Sequence, residues 1–404
     1  MDERATQDEA TTGDPATRAW RDWAERARAL VGRLDEAGYP TDPASRAVAA
    51  RHLARQSALA LEAELEHADP AHPTLHRYEQ PWSQWGAPNP DNVYERCAID
   101  PAATYVLRGR VDGVHEALFS LVEGDLHLGR PGVHAELALS DLRARGDAVA
   151  ADGTLRLVIG PPGTPGVTLT TDPETRLLLI RQYLYDWDTE PVASFSVERP
   201  DRSGRPAPST APADVAAALG RAARWVEESI THWAAYAAAT RDLLEHNTFT
   251  APDTPPGGAP SIAYGGGCFD LPDDAVLLVE HPEPDAHYWN WSSHHLHWFD
   301  SGAFHERPTS INGAQAHVDA DGIVRVVVAV DDPGVPNWLD PEGHALGLAV
   351  YRYVGAATTP HPTGRVVPRA DLRLALPADH PVVGADDRRR MLADRRLAAQ
   401  RRWS

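Results

Sequence analysis

Short runs in which hydrophobic and polar residues alternate fill two long stretches of this sequence. Residues 71–201 contain TYVLRGRV, EALFSLVE, TLRLVIG and RLLLIRQYLYDW, and residues 262–377 contain AVLLVEH, HYWNWSSHHLHWF, IVRVVVAV and LGLAVYRYV. Glycine, proline and aspartate separate the runs, a pattern typical of antiparallel strands joined by turns. The pattern predicts an α+β protein with an antiparallel β-sandwich or jelly-roll-like body. It leaves open whether the two regions share one core.

Helical periodicity occupies three other segments. Residues 1–70 predict two helices interrupted at Gly38-Tyr39-Pro40, and residues 213–247 carry an apolar stripe with a period of 3.6 residues. Proline-rich linkers stand on both sides of that central helix. Residues 385–404 predict an arginine-rich C-terminal helix, and we expect its charges to pair with carboxylates of the same chain.

The charge of the chain limits its partners. Its 404 residues include 38 basic and 58 acidic side chains, for a net charge of -20, and every basic one is arginine. This excess of negative charge disfavours nucleic acid and anionic membranes as partners. The absence of lysine excludes Schiff-base chemistry, attachment of pyridoxal phosphate and the lysine of a phosphate-binding loop. We expect a neutral or cationic small-molecule substrate and no organic cofactor.

The number of cysteines and the first residues of the sequence indicate the cellular compartment of the protein. Cys97 and Cys268 are too few for a disulfide framework or a CxxC metal site, so we expect both to be reduced and buried. The polar, acidic start lacks the apolar run of a secretory signal, and no later stretch has about eighteen consecutive apolar residues. The sequence therefore predicts a cytoplasmic protein.

The segment RLLLIRQYLYDWDTEP combines aromatic and charged residues along one predicted strand. Alternation places its arginine, two tyrosines and tryptophan on one face, and carboxylates crowd its end. Neighbouring carboxylates can have their pKa values driven apart, which supplies a general acid and a general base. A solvated acidic turn is the competing interpretation. The predicted catalytic residues are Asp186 and Glu190 as acid and base, with Arg181, Tyr183 and Tyr185 as orienting groups.

The segment YWNWSSHHLHWF is the most unusual of the chain. Alternation would place Trp289, Trp291, His295 and His297 on one face. A histidine pair two residues apart on a strand, roughly 7 Å between side chains, can chelate a metal. The glutamate that follows such a pair in the cupin pattern is missing, so His295 and His297 are weak metal candidates. A metal-free cleft lined by these four residues and plain packing are the alternatives.

Polar loops supply the remaining candidates for substrate binding. DDPGVPNWLD follows the apolar strand IVRVVVAV, DNVY precedes another strand, and the proline- and tryptophan-rich residues 72–91 predict an ordered loop of the kind that often lines a site. Asx turns and proline geometry explain much of these loops without function. The candidate substrate-binding residues are Asp91, Asn92, Tyr94, Trp187, Asn312, Gln315, Asp332, Asn337, Trp338 and Asp340, beside the four aromatic and histidine residues above.

Common catalytic and nucleotide-binding motifs are missing. GPPGTPGV lacks the lysine and the hydroxyl residue of a phosphate-binding loop, and GGGC is not followed by the helix of a dinucleotide fingerprint. The sequence contains no GxSxG, SxxK or HExxH. These absences lower the expectation of a nucleotide-dependent enzyme or a serine hydrolase.

Several segments resemble a bacterial family known as domain of unknown function 1214. NGAQ at residues 312–315 and DPGVPNWLD at residues 332–340 are the most specific, and AYGGGCFDLPDDAVLLVEH and RQYLYDWDTEP are also similar. The resemblance covers about residues 91–352. It implies a β-rich sandwich or jelly roll with added helices, often in homo-oligomers, and it assigns no catalytic residue.

Tryptophan-rich strands beside clustered carboxylates lead to a functional hypothesis. The sequence predicts a small-molecule enzyme, a hydrolase, lyase or isomerase, that acts on a neutral hydroxylated or polycyclic substrate such as a glycoside or terpenoid. A carbohydrate- or hydrophobic-ligand-binding protein without turnover is the alternative. A His-x-His metalloenzyme is the second alternative.

Overall fold

The computed structural model describes residues 13–33, 35, 39, 41–255 and 258–403. The predicted helix break falls largely outside these ranges, which omit Gly38 and Pro40. Two helices flank it, α1 (Pro15–Arg33) and α2 (Pro43–Glu66). Helix α2 begins where the carboxylate of Asp42 accepts a hydrogen bond of 2.9 Å from the Ser45 amide, a typical N-cap.

The first β-rich region forms two sheets that face each other. Sheet 1 has the order β1-β2-β8-β4-β5 and sheet 2 the order β7-β6-β3-β9. A buried cluster that includes Tyr105, Phe119, Leu157 and Ile180 fills the space between them. The elements are β1 (His76–Glu79), β2 (Asn92–Ala98), β3 (Tyr105–Arg110), β4 (Glu116–Val122), β5 (Val133–Ala138), α3 (Leu139–Arg145), β6 (Thr154–Gly160), β7 (Leu169–Thr170), β8 (Leu177–Tyr183) and β9 (Phe195–Glu198).

The second β-rich region repeats this arrangement with its own core. Sheet 3 has the order β10-β16-β12-β13 and sheet 4 the order β15-β14-β11-β17. Trp291, Val326 and Tyr351 belong to the cluster between them. The elements are β10 (Ile262–Asp270), β11 (Ala275–Pro282), β12 (Ala286–His294), β13 (Ser310–Asn312), β14 (Ile323–Val328), β15 (Trp338–Leu339), β16 (Leu346–Ala356), β17 (Thr363–Pro368), α5 (Leu372–Ala375) and α6 (Ala385–Trp403).

The central helix α4 (Pro212–Leu243) lies between the two β-rich regions in sequence and packs on α1 and α2. Its buried stripe, which includes Ala222, Val226, Ile230 and Trp233, confirms the predicted 3.6-residue period. The predicted α+β class is therefore confirmed. Each β-rich region has a core between its own pair of sheets, and further clusters join the two regions.

The two sandwiches meet through the outer faces of sheets 1 and 3. Leu118 and Tyr183 of sheet 1 pack there against Ile262, Tyr288 and Val354 of sheet 3. Helices α1, α2 and α4 form a further cluster with other residues of the same two faces. This contact positions the cavity described below.

Helix α6 attaches to the β-sandwiches through its arginines. Arg388 pairs with Asp332 at 3.0 Å and Arg401 with Asp188 at 2.8 Å, as the sequence predicts. Arg388 and Arg402 are both buried, and the Arg402 guanidinium stacks 4.4 Å from the ring centre of Trp187. The helix therefore combines an exposed ion pair at Arg401 with interior anchors at Arg388 and Arg402.

Two sequence expectations concern cysteine and apolar helices. Cys97 and Cys268 are buried and unpaired, and they belong to separate clusters. Among the helices that the structure describes, none has the length and apolar character needed to cross a membrane.

Strand β10 tolerates no side chain at Gly267. A Cβ at this position would lie 1.9 Å from the backbone oxygen of Thr248, whose neighbours Asn247 and Thr250 bond along the strand. In contrast, a Cβ at Gly220 of helix α4 would meet nothing within 4 Å. We expect Gly267→Ala to lower the free energy of unfolding by roughly 3 kcal/mol because the backbone must shift. We expect Gly220→Ala to raise it by about 1 kcal/mol. Denaturant titration of both variants measures this, and equal effects would contradict the packing of Thr248 on β10.

Candidate functional site

A cavity of about 600 Å³ lies between the outer faces of sheets 1 and 3. This volume is within the usual range for a small-molecule site. Helix α4 and the segment around Trp85 cover it. Its lining includes Tyr78, Glu79, Asn92, Tyr94, Arg181 and Tyr183 from sheet 1, Ile262, Tyr264, Leu348, Val350 and Arg352 from sheet 3, Trp85 and Phe299 from loops, and Trp233 and Tyr236 from α4.

The cavity has a buried end and an exposed end. Glu79, Tyr94 and Arg352 line the buried end, each with less than a tenth of its surface exposed. Exposed lining residues lie in the loop that contains Arg130 and in the loop that contains Asp253. These two loops therefore form the mouth.

Glu79 is the buried carboxyl group of the cavity. The pairing of β1 with β2 shifts register between Arg77 and Glu79, so the consecutive residues Tyr78 and Glu79 both line the cavity instead of alternating. Such bulges redirect side chains next to binding sites. Oε2 of Glu79 is buried and has no hydrogen-bond partner among the described residues. Burial raises the pKa of Glu79 from 4.5 to about 8, although Arg181, Arg96 and Arg352 oppose the increase.

Arg181 on β8 faces the same end of the cavity. Its guanidinium donates a hydrogen bond of 3.3 Å to Ser120, and within the described chain no carboxylate lies in ion-pair range of it. Four tyrosines lie close enough to interact with its charge: Tyr78, Tyr94, Tyr183 and Tyr264. The cation is thus surrounded by phenol groups and by the cavity.

Arg352 on β16 is the second guanidinium of the lining. It donates to the Ala87 backbone oxygen at 2.6 Å and to the Ser292 hydroxyl at 3.1 Å. Both partners are neutral, and no described carboxylate forms an ion pair with it. Arg96 differs, because it pairs with Asp125 at 3.0 Å. The buried end of the cavity therefore contains two guanidinium groups, those of Arg181 and Arg352, that form no ion pair with a described carboxylate.

Other polar atoms of lining residues also lack partners. They are Oδ1 of Asn92 and the indole nitrogens of Trp85 and Trp233, which are buried without a hydrogen-bond partner among the described residues. Buried polar groups are normally satisfied, and a ligand or ordered water in the cavity would complete these.

The sequence identified part of this site. Arg181, Tyr183, Tyr94 and Asn92 were candidates, and the structure brings them together at the cavity. Glu79 was missed because its segment predicts a loop, whereas HRYE forms the short strand β1. Arg352 was missed because its place opposite β8 depends on how the two sandwiches pack.

Asp186 and Glu190 lie outside this cavity. Asp186 closes a turn, accepting hydrogen bonds from the Asp188 amide at 2.9 Å and the Thr189 hydroxyl at 2.6 Å, and these bonds lower its pKa. Glu190 accepts a hydrogen bond of 2.7 Å from the Tyr185 amide, and burial raises its pKa. Glu190 lines a separate, more polar cavity of about 410 Å³ with Trp187 and residues of α6.

The predicted shared face of Arg181, Tyr185 and Trp187 is wrong, because strand β8 ends at Tyr183 and the alternation ends with it. The ring of Tyr185 packs 5.4 Å from that of Tyr288. The indole of Trp187 donates a hydrogen bond of 2.7 Å to Asp91 and lies beneath the α6 arginines.

The tryptophans and histidines of the unusual segment do not line a cleft. Trp289 and Trp291 share a face, as predicted, but that face is buried in the core between sheets 3 and 4. Strand β12 ends at His294, so the prediction of His295 and His297 as a pair on a strand is wrong. The ring of His297 lies 6.1 Å from that of Tyr39.

His295 is held between two carboxylates. Its Nδ1 lies 2.6 Å from Asp300 and its Nε2 lies 3.0 Å from Glu342. Burial alone lowers its pKa, but these two carboxylates raise the pKa of His295 to about 10. Both ring nitrogens are therefore donors in this arrangement, which stabilises the loop after β12.

The remaining loop candidates brace the structure. Asp91 accepts a hydrogen bond from Tyr288 beside the cavity. Asn312 donates to the Tyr185 oxygen and bonds Gln315, and Asn337 donates to the His317 and Arg325 oxygens. Arg388 of helix α6 lies over Trp338 and pairs with Asp332. Asp340 pairs with Arg307.

Two groups of side chains among the described residues have metal-ligand spacing. His317, Asp319 and His380 place ligand atoms within 4.8 Å of one another, as do His134, Asp172 and Glu174. In the first group Asp319 also accepts a hydrogen bond of 2.7 Å from Arg325. None of these residues lines the cavity between the sandwiches.

Comparison with solved structures finds an extensive similarity to an uncharacterized protein. The chain is 32% identical to an uncharacterized protein from Burkholderia cenocepacia, with a TM-score of 0.79 over 87% of this chain and 97% of that one. The VPA0106 protein from Vibrio parahaemolyticus is 13% identical over 77% of this chain, with a TM-score of 0.42. Salicylate 1,2-dioxygenase from Pseudoaminobacter salicylatoxidans is 10% identical, with a TM-score of 0.19. The last two scores are too low to support an inference. No family model and no curated protein matches the chain.

The raised pKa of Glu79 predicts a pH dependence of stability. Between pH 4.5 and about pH 8 the folded protein keeps a proton on Glu79 that the unfolded chain releases. The free energy of unfolding should therefore fall as pH rises through this window, by up to about 1.4 kcal/mol per pH unit. We expect Glu79→Gln to remove this slope, and Glu228→Gln, at an exposed site on α4, to retain it. Denaturant titrations across the pH range measure both slopes, and an unchanged slope in Glu79→Gln would show that another group carries it.

Because Arg181 has no carboxylate partner, we expect its substitution to change stability in the opposite direction to substitution of a paired arginine. Arg181→Met removes a cation without a counterion, and we expect the free energy of unfolding to rise by about 1 kcal/mol. Arg96→Met leaves Asp125 buried without its partner, and we expect a loss of roughly 3 kcal/mol. Denaturant titration at neutral pH compares the two, and a loss of similar size in both would mean that Arg181 stabilises the ligand-free fold.

Proposed function

This chain belongs to the family of the uncharacterized Burkholderia cenocepacia protein, and we propose that it binds a small molecule in the cavity between its two sandwiches and transfers a proton through Glu79. The observation that carries the proposal is the unpartnered, buried carboxyl of Glu79 in a cavity of about 600 Å³. A pKa of about 8 makes both the protonated and the ionised form accessible near neutral pH. A general acid or base needs this balance.

The surrounding groups suit the positioning of a substrate. The hydroxyl of Tyr94 accepts a hydrogen bond of 2.8 Å from the Asn89 amide, and burial raises its pKa, so it stays protonated and can donate into the cavity. Trp85 and Trp233 offer aromatic surface and free indole N–H groups. A polycyclic or otherwise apolar substrate body fits this lining.

The proposed chemistry is an elimination or isomerisation with one proton-transferring carboxyl. Hydrolysis of glycosides generally uses two carboxyl groups on either side of the bond. The other carboxylate near the buried end, Asp125, accepts hydrogen bonds from Arg96 and Trp225 and is therefore already engaged. A lyase or isomerase of this kind needs no organic cofactor. We also propose a cytoplasmic location, which the unpaired thiols of Cys97 and Cys268 support.

Binding without turnover is the second candidate function. The apolar and aromatic part of the lining favours it, because such a surface retains a ligand without any chemical step. The two functions differ only in whether Glu79 is required for a reaction.

A turnover comparison tests the proposal. The protein is incubated with a bacterial small-molecule extract, and mass spectrometry identifies compounds consumed and formed. We expect conversion by the wild type and by Glu190→Gln, and a rate at least about 100-fold lower with Glu79→Gln. Glu190→Gln is the matched control because Glu190 is a partly buried glutamate of the other cavity.

Each other result has a defined meaning. Conversion that survives Glu79→Gln and is lost in Asp186→Asn or Glu190→Gln would refute Glu79 and support the acid and base predicted from sequence. Compounds retained by the protein through purification but not converted by any variant would establish a binding protein instead of an enzyme.

A further inference from the structure

We infer that the ligand of the cavity is a monocarboxylate with a largely apolar body, and that Arg181 and Arg352 bind its carboxylate. The inference rests on the proposed function only in taking this cavity as the binding site. It replaces the neutral substrate expected from the charge of the whole chain.

The first step of the argument is the state of Arg181. A guanidinium has five N–H donors and keeps its charge in proteins. Arg181 uses one donor, in a hydrogen bond of 3.3 Å to Ser120. Cations withdrawn from bulk water are normally paired, because desolvation of an unpaired charge is unfavourable. The remaining donors and the charge are therefore available to an anion in the cavity.

The second step is the contrast between the arginines of this region. Arg96 and Arg352 are both buried, with 5% and 7% of their surface exposed, and Arg181 lies beside them. Only Arg96 has a carboxylate partner, Asp125. Arg352 is held by two neutral oxygens, which fix its orientation without neutralising it. The protein therefore supplies a counterion for Arg96, which does not line the cavity, and none for Arg181 and Arg352 at its buried end.

The third step concerns the charge of the ligand. Glu79 is close enough to Arg181 and Arg352 to interact with both, yet it forms an ion pair with neither within the described chain. A monocarboxylate can share a proton with Glu79 in a carboxyl–carboxylate hydrogen bond while it accepts hydrogen bonds from Arg181. A phosphate dianion would place a second negative charge next to Glu79 and is disfavoured.

The fourth step concerns the body of the ligand. Away from Arg181 and Arg352 the lining includes the side chains of Trp85, Leu348, Val350, Trp233 and Phe299. These side chains have no charge, and burial against them favours an apolar, preferably ring-containing, molecule. The cavity thus combines two guanidinium groups at its buried end with an apolar and aromatic surface, while Arg130 and Asp253 lie at its mouth. A cationic end beside an apolar surface is the distribution expected for an apolar carboxylate.

A matched series of pyrene probes tests the inference on the full chain. Pyrenebutyrate, neutral pyrenebutanol and cationic pyrenebutylamine share one body and differ in the head group. Energy transfer from tryptophan to pyrene reports binding, since Trp85 and Trp233 line the cavity. We expect the wild type to bind pyrenebutyrate at least about 10-fold more tightly than pyrenebutanol, and pyrenebutylamine most weakly.

Arginine variants identify the group that recognises the carboxylate. We expect Arg181→Gln to raise the Kd for pyrenebutyrate by roughly 30-fold and the Kd for pyrenebutanol by less than about 3-fold. Arg181→Lys keeps the charge and should recover part of the affinity. Arg108→Gln, at an arginine of sheet 2 paired with Glu198, should change neither. Thermal unfolding of each variant confirms that it is folded.

The outcomes separate this inference from the proposed reaction. Equal affinity for the acid and the alcohol, or an Arg181→Gln effect common to both, would overturn the inference while leaving the cavity as the site. No binding of any probe would overturn it as well. Selective binding of the acid with no conversion in the turnover experiment would support the inference and refute catalysis by Glu79.

Discussion

The contact between the outer faces of sheets 1 and 3 determines the rest of the molecule. It consists of a few apolar side chains, including Tyr183 and Tyr288, together with a buried network in which Tyr288 bonds Asp91 and Asn290 donates to Asn89 at 2.8 Å. Buried hydrogen-bond networks of this kind fix the relative position of the elements that they join. Because the contact covers only part of the two faces, the uncovered part remains as the cavity and helix α4 covers it.

The cavity wall contains buried charged groups that are unfavourable for folding, and a role in binding explains why they are present. A core of the same volume filled with apolar residues would be more stable than one in which Glu79, Arg181 and Arg352 have no ion-pair partner among the described residues. Unsatisfied groups concentrated in one place are characteristic of sites where stability is given up for binding. On the inner faces of the two sandwiches, by contrast, buried polar side chains have partners: the Trp291 indole donates to His281 at 3.0 Å, and Gln182 donates to the Ala193 oxygen at 3.1 Å.

The sequence predicts the local structure well and the site only in part. Alternation is visible in runs such as IVRVVVAV and RLLLIRQYLYDW because a strand covered on one or both faces selects apolar residues with period two. The same alternation pairs Trp289 with Trp291 correctly but does not reveal that sheet 4 covers them.

Strand ends are less visible in the sequence, and the incorrect positions of Tyr185 and His295 follow from strands that stop at Tyr183 and His294. Glu79 depends on a bulge in a strand of four residues, and Arg352 on packing between distant parts of the chain. Neither leaves a periodic signal.

The anchoring of helix α6 has a kinetic consequence. Arg402 donates a hydrogen bond of 2.9 Å to the backbone oxygen of Pro90, 312 residues earlier in the chain, and this oxygen belongs to the segment that also carries Asn89 and Asn92 of the cavity wall. During synthesis the strands of sheet 1 emerge long before the helix that braces this segment. Contacts of such sequence separation form late and slowly. This segment of the cavity wall therefore gains its hydrogen bond to Arg402 only after helix α6 has been synthesised, long after the strands of the first sandwich.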